Sequence, residues 1–367
     1  MSPTAQNPPP VPDSTTLREA AADRFARWAA SGDATLPLPG GGRTRDRFRA
    51  LVGLGRTDLS LTRLAEGHVD AAAILQELGA APPGPGERWG VWAAQPPGPG
   101  LSARRAGTSW LLDGVKPYCS GAHSCTHALV TADTGEGHRL FVVPTDHPGY
   151  RPVEGTWQAL GMAGSDTPDV RFTAVAARAV GGVDAYLERP GFEHGGVGVA
   201  ACWIGGALAV ADTLHEAART RTSPFLAAHL GACDTALHAA LTVLDEAADA
   251  IDHDPLDLLG GARVRGLRVR ALAERVCSEV LDRVGRATGA GPLCHDPGHA
   301  RKVADLTVYI RQHHGERDLA ALGTLLAEDD AVRAQDGPGQ DRSLSGGTEG
   351  RIVPAGSSVG GPAKGDA

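Results

Sequence analysis

Apolar positions recur at helical spacing towards both ends of the chain and gather into short β-branched and aromatic runs in its middle. TLREAAADRFARWAASG, from Thr16 to Gly32, predicts a first helix, and LPLPGGG ends it. RDRFRALVGLG and LSLTRLAEGHVDAAAILQELG predict two more, the second with Leu61, Leu64, Val69, Ile74 and Leu78 on its apolar face. PPGPGERWG then breaks the helical pattern. Between Trp110 and Phe172 lie WLLDGVKPYCSGA, HALVTAD, RLFVVPTD and LGMAGSDTPDVRF. Asp-Gly, Thr-Gly-Glu-Gly and His-Pro-Gly turn signals part them, which predicts a hairpin-rich antiparallel unit. RPGFEHGGVG (Arg189 to Gly198) predicts a second joint. Beyond it run three stripes: Trp203, Ala207, Val210 and Leu214; Leu237, Leu241, Leu244 and Ile251; Val269, Leu272, Val276 and Val280. A shorter fourth helix is expected from about His299 to Leu326, and four such helices bury a bundle core.

This pattern divides the chain into a short N-terminal helical domain (16–85), a middle β-domain (86–188) and a C-terminal four-helix bundle (195–330). Residues 1–15 and the Gly/Ser/Pro-rich 335–367 are expected to be disordered. Composition narrows the function classes. Among 367 residues 42% are apolar and 21% charged, as in soluble globular proteins. The net charge of -8 and the lack of a Lys/Arg run argue against nucleic acid as a partner. ARVRGLRVRALAER alternates arginine with apolar residues, as does the solvated face of a core helix. No apolar run approaches the roughly eighteen residues of a membrane span, and the polar, Pro-rich MSPTAQNPPPVPDS is no secretory signal. The six cysteines form no CxxC pair, so neither a zinc site nor a disulfide framework is expected. They read as small buried hydrophobes of a cytoplasmic protein. His295 and His299, in LCHDPGH, have loop spacing without a metal set.

KPYCSGA (Lys116 to Ala122) and GMAGSD (Gly161 to Asp166), in a β-module between two helical modules, resemble the middle domain of acyl-CoA dehydrogenase flavoproteins. The resemblance extends from about Leu51 to Leu322. It implies a mainly α chain with a central antiparallel β-barrel or sandwich, FAD as cofactor, and a homodimer or homotetramer. In the family, two motifs meet the flavin ring. GVWAAQPP resembles the first, with Ala94 and Gln95 where Thr and Glu are usual; one hydroxyl donor is lost and a backbone N–H remains. In the second, Tyr118 matches an aromatic ring contact and Ser120 a hydroxyl donor near flavin N5. Arg219 matches an arginine that holds the flavin pyrophosphate of a neighbouring subunit, with Arg221 of ARTRT as its rival. TGAGP (Thr288 to Pro292) matches a glycine loop, in which Gly289 and Gly291 would approach the cofactor. Roughly 85 residues precede the β-module, fewer than the family spends, so a reshaped substrate cavity is expected.

Acyl-CoA dehydrogenation needs a carboxylate to take the α-proton as a β-hydride leaves for the flavin. With Asp305 in register with the family motif, His313 falls where that Glu belongs. Glu316 reaches the pocket only if the turn is shifted. The family's other base position falls at Gly195, with Glu193 two residues away. His313 has an ordinary pKa near neutrality and suits proton transfer. The leading reading is an FAD-dependent, acyl-CoA dehydrogenase-like oxidoreductase acting on an acyl thioester, with an electron-transfer flavoprotein as partner. The second is a monooxygenase of the same fold supplied by a flavin reductase. The third is a non-catalytic flavin-fold protein that binds a partner or an acyl chain.

Overall fold

A computed structural model describes residues 13–95 and 100–335. The disorder expected of residues 1–12 and 336–367 lies outside the described residues, as do Pro96 and Pro97 of the first flavin motif. Ser14 and Thr15, expected to be disordered, already belong to a helix. Contacts group the chain into two units, 1–322 and 323–367, and the described part of the second is helical.

Helix α1 (Ser14–Ala29) starts where Asp13 Oδ1 accepts the Thr16 N–H at 2.7 Å. Helices α2 (Thr44–Thr57) and α3 (Leu59–Glu77) meet at Asp58, which ends one and caps the other through Leu61 N at 2.8 Å. Burial on α3 reaches well beyond the stripe of Leu61, Leu64, Val69 and Ile74, and takes in Glu66 and His68. This helix touches both the strand Trp89–Trp92 and the long helix that begins at Gly191, so its polar residues face protein on more than one side.

Seven strands follow: β1 (Trp89–Trp92), β2 (Ser102–Ala106), β3 (Ser109–Lys116), β4 (His127–Asp133), β5 (His138–Pro144), β6 (Tyr150–Pro152) and β7 (Val170–Val180). Antiparallel pairs join β2 to β3, β4 to β5, and β7 to each of β3, β5 and β6. β1 pairs parallel with β4, and Ser102 of β2 bridges in parallel to Asp133 of β4. The path therefore returns to β4, and the sheet is mixed rather than antiparallel. Turn signals report hairpins between sequence neighbours; a parallel pair needs a long crossover and leaves no local mark.

After the short α4 (Ala185–Glu188) come α5 (Gly191–Thr220), α6 (Pro224–His253), α7 (Ala262–Thr288), α8 (Gly291–His295), α9 (Pro297–Tyr309) and α10 (Glu316–Gln335). Three sequence expectations need correction. The joint at Arg189 to Gly198 is mostly helix, because α5 begins at Gly191. Glycine here serves close packing: a β-carbon at Gly205 would stand 2.2 Å from Val52 O, and one at Gly198 3.3 Å from Leu51. The single fourth helix is instead α9, a 3-10 turn (Ile310–Gln312) and α10, with Gly315 at φ +58 before α10. Finally, α5 is long and apolar enough to cross a membrane, contrary to expectation, but it is largely buried among the other helices.

One apolar cluster gathers α2, α5, α6, α7 and α9 around Trp203, and another packs Phe25 of α1 against Trp92, Tyr150 and Phe172. Asp305 of α9 joins the helices to the β-domain by accepting Met162 N at 2.5 Å.

Candidate functional site

The two motifs that lie far apart in sequence, KPYCSGA and GMAGSD, are joined in space. Cys119 N donates to Pro168 O at 2.9 Å, and Gly121 N to Ser165 O and Asp166 O at 2.9 and 2.7 Å. Tyr118, Met162 and Asp166 all take left-handed backbone conformations, at φ 56, 59 and 48. Each costs about 1–2 kcal/mol for a residue with a β-carbon, so the surrounding bonds hold this platform against its local preference. Tyr118 is 63% exposed, whereas Ser120 is buried. Ser120 Oγ accepts from Thr167 Oγ1 at 3.0 Å, and Thr167 in turn lies 2.7 Å from Ser165 Oγ. Trp92 Nε1 donates to Ser120 O at 3.0 Å. Asp166 accepts His123 N at 2.7 Å and sits 2.9 Å from His123 Nδ1; this hydrogen bond raises the imidazole pKa. Beneath the platform Lys116 donates to both oxygens of Thr131 at 2.8 Å, and burial pulls its pKa down to about 8.

The first motif behaves differently. Ala94 and Gln95 follow β1, and Gln95 shares a small cleft with His138, Arg139, Asp184 and Tyr186. No hydrogen bond joins Gln95 to Tyr118 or Ser120 among the described residues.

A second locus lies where α5, α7 and α8 end or begin. Arg221, Thr220, Thr288, Gly291, Pro292 and His295 line an open groove of about 670 Å³. Arg219, the first candidate, is 80% exposed and pairs with Glu216 at 3.6 Å, while the rival Arg221 lines the groove together with Thr288 and Gly291. Gly289 ends α7 at φ +69, which only glycine adopts without strain, and a β-carbon there or at Gly291 would meet nothing within 4 Å. Neither Tyr118 nor Ser120 lines this groove, so a single chain does not bring the expected flavin contacts together. His299 Nδ1 is 2.8 Å from Thr213 Oγ1, and among the described residues no His, Cys, Asp or Glu group is set to hold a metal.

The third locus holds the acid–base candidates. His313, 6% exposed, occupies the turn between α9 and α10. Gly315 N donates to its Nδ1 at 3.2 Å, so the neutral ring carries its proton on Nε2. That Nε2 is buried without a hydrogen-bond partner; Asp318 Oδ2 stands 3.8 Å away. Burial lowers the pKa of His313 and favours the neutral ring. Glu316 is exposed at the first position of α10, so the shift that would bring it inward does not occur. Glu193 sits in the first turn of α5, half-buried, and burial raises its pKa against the pull of Arg263 and Arg270. Arg270 links these two candidates. It donates to Gly196 O at 3.1 Å and to Gln312 O at 2.9 Å, and its guanidinium lies 4.8 Å from the centre of the Trp203 ring. Trp203 meets Tyr309 edge-on, with ring centres 6.3 Å apart.

Comparison with known proteins agrees with this architecture. Residues 98–175 match the family described as acyl-CoA dehydrogenase, middle domain. Among solved structures, KijD3 in complex with FMN and a dTDP-amino-keto sugar superposes with a TM-score of 0.67 at 21% identity, covering 87% of this chain and 95% of that one. FMN-bound TdsC from Paenibacillus sp. A11-2 gives 0.70 at 17% identity, covering 86% and 97%. FkbI, described for methoxymalonyl extender-unit biosynthesis, gives 0.70 at 18%, covering 86% and 96%. The fold is acyl-CoA dehydrogenase-like. No curated protein matches the sequence.

Within this acyl-CoA dehydrogenase-like fold, sequence reasoning missed Arg63, Trp203, Arg270 and Tyr309. Arg63 pairs with Glu66 at 2.6 Å inside α3. Charges three residues apart in a helix otherwise rich in buried apolar positions are a usable signal, because such a pair must face protein. Trp203 was read only as a core stripe residue, which its full burial supports.

Proposed function

We propose that this chain is a flavin-dependent monooxygenase that uses reduced flavin from a partner reductase, and that His313 supports oxygen chemistry rather than α-proton abstraction. The observation that carries this reading is the 3.2 Å contact from Gly315 N to His313 Nδ1. With Nδ1 accepting from the Gly315 N–H, the buried Nε2 is a donor. A donor stabilises negative charge developing on oxygen. It does not take a proton from carbon, which is the step an acyl-CoA dehydrogenase assigns to a carboxylate.

The residues of the platform fit a flavin. Ser120 Oγ accepts from Thr167 and keeps its own proton free for a ring-edge acceptor, and the exposed Tyr118 side chain stands two residues away. A bound flavin would supply electron transfer and, when reduced, oxygen activation. FMN is the cofactor favoured by KijD3 and TdsC, whose structures hold it; TdsC is described as dibenzothiophene monooxygenase. FAD would instead engage the Arg221 groove of a second subunit. On this reading the closed strand path is the family's β-barrel, α5, α6, α7 and α9 form its four-helix bundle, and the middle domain runs from 86 to 188. We further assign the protein to the cytoplasm as a homodimer or homotetramer, in keeping with five buried free thiols and the open Arg221 groove.

The dehydrogenase reading stays in play through Glu193, a half-buried carboxylate of raised pKa near the alternative base position. Two assays separate the readings. Octanoyl-CoA added without oxygen should leave bound oxidised flavin unbleached, whereas reduced FMN supplied by a reductase should be oxidised by oxygen faster on the protein than free. Bleaching by octanoyl-CoA would overturn the proposal.

A further inference from the structure

Outside the three loci described above, a cavity of about 390 Å³ opens where the end of α2 and the start of α3 face α9. Leu59 and Pro297, with Gly206 and Ala209 of α5, supply most of its apolar lining. Its size falls in the ordinary range for a small-molecule site. Tyr118, Ser120, Arg221 and His313 do not line it, so it is separate from the platform, the open groove and the acid–base candidates.

Charged side chains line it as well: Arg56, Asp58, Arg301, Lys302 and Asp305. Three of them are engaged within the fold. Arg56 reaches Asp212 through Nε at 3.2 Å and Nη2 at 2.7 Å. Asp58 accepts Leu61 N at 2.8 Å and pairs with Arg24 at 3.1 Å. Asp305 accepts Met162 N at 2.5 Å, and burial raises its carboxyl to about 6. Arg301 and Lys302 are different. Both are half-buried, and among the described residues neither side chain makes a hydrogen bond or an ion pair. Arg301 stands within electrostatic reach of Asp305 without pairing, although the two lie one helical turn apart. With Arg56 answered by Asp212 and Asp58 by Arg24, two cations face one carboxyl, and the charge left over is positive. The start of α9 makes no separate claim on a ligand, because Asp296 already accepts Gly298 N and His299 N at 2.9 and 3.0 Å. The complement of this lining is an apolar body that carries a negative charge at one end.

We propose that this cavity is a binding site for a small organic anion, with Arg301 and Lys302 holding its carboxylate or phosphate and Leu59, Ala209 and Pro297 its apolar body. The site stands apart from the monooxygenase reading, since nothing in it requires a flavin. Its consequence for the rest of the molecule runs through Asp305, which lines the cavity and also holds Met162 N of the GMAGSD turn. A ligand here adjoins the residue that ties the helices to the platform, which makes it an effector rather than the reacting substrate.

Calorimetric titration of the full chain, without flavin, tests this with hexanoate and hexyl phosphate as probes. Hexanol and hexanamide are the neutral counterparts, and acetate and inorganic phosphate the bare ions. At least one of the two probes should bind about tenfold more tightly than every neutral counterpart and bare ion, and the one that does distinguishes an organic acid from a phosphate ester. Arg301→Gln and Lys302→Gln remove charges that no other side chain pairs with. Each should leave the unfolding temperature without ligand unchanged and weaken the probe about tenfold. The site is overturned if neither probe binds, if a neutral counterpart or a bare ion binds as well, or if affinity survives both substitutions. It is also overturned if either substitution lowers the unfolding temperature without ligand, which would mark that cation as part of the fold. Failure here leaves the monooxygenase reading intact, and failure of flavin to bind leaves this site intact.

Discussion

The platform formed by KPYCSGA and GMAGSD and the helical locus around Arg270 solve opposite problems. On the platform each polar group named finds a partner: Ser120, Thr167 and Ser165 form a chain of hydroxyls, Asp166 binds His123, and Gly121 N reaches two carbonyls. Its cost is conformational, with three non-glycine residues held left-handed. In the helical locus the backbone is helix except at the turn that holds His313, and the cost is electrostatic: partly buried guanidiniums, a buried carboxylate, and Arg63 Nε, Trp203 Nε1 and His313 Nε2 without acceptors. A satisfied network fixes geometry and can carry a cofactor in one place; an unsatisfied one carries a cost that the rest of the fold must offset.

Four tests break or sharpen that contrast. Arg63→Met should have the largest effect, about 3–5 kcal/mol of lost stability, because it strands the buried Glu66 charge. Urea unfolding measures it, and the double change with Glu66→Met should recover most of the loss. His313→Ala should lower oxygen-dependent turnover by about two to three orders of magnitude, the worth of one donor at a developing oxyanion. His313→Gln, which can still donate, should recover part of the rate, whereas loss in both variants alike would leave the donor role unsupported.

The third concerns the Asp305 bridge between the two regions. Burial raises its carboxyl from 3.8 to about 6 in the folded chain. The native state then holds the proton that the unfolded state has released, so this group's contribution is full below pH ~4 and is lost as pH rises through ~6, by roughly 3 kcal/mol. Asp305→Asn keeps an acceptor for Met162 N and should remove that slope, raising stability above pH ~6. His313 works with the opposite sign: its lowered pKa makes stability fall as pH drops through and below the ordinary imidazole pKa. Ser120→Ala should be mildest, about 1 kcal/mol in stability since Thr167 still reaches Ser165, together with weakened flavin binding.

How far each region was legible in the sequence follows from the same physics. The three long helices and their stripes emerged from periodicity, and Trp203, Val210, Leu237, Val276 and Val280 are indeed buried. The two motif words of the platform emerged because each is local; GMAGSD was expected at the far side of the β-unit, and its pairing with KPYCSGA through Gly121 N escaped. What escaped was long-range or inverted: the parallel β1–β4 pair, the glycines of α5 that pack rather than break, and polar residues on buried helix faces. Glu316 escaped in the other direction, since Gly315 turns the chain at φ +58 and leaves it exposed on α10. Arg219 and its rival Arg221 lie two residues apart at the end of α5, and Arg221 is the one that lines the groove.

The central claim is that His313 offers a proton instead of accepting one. Nitrogen NMR of protein carrying heavy-nitrogen histidine, with His313→Gln to assign the signal, reads the tautomer directly. Near neutral pH the account predicts a neutral ring protonated on Nε2; a ring protonated on Nδ1, leaving Nε2 as a free base, would contradict it.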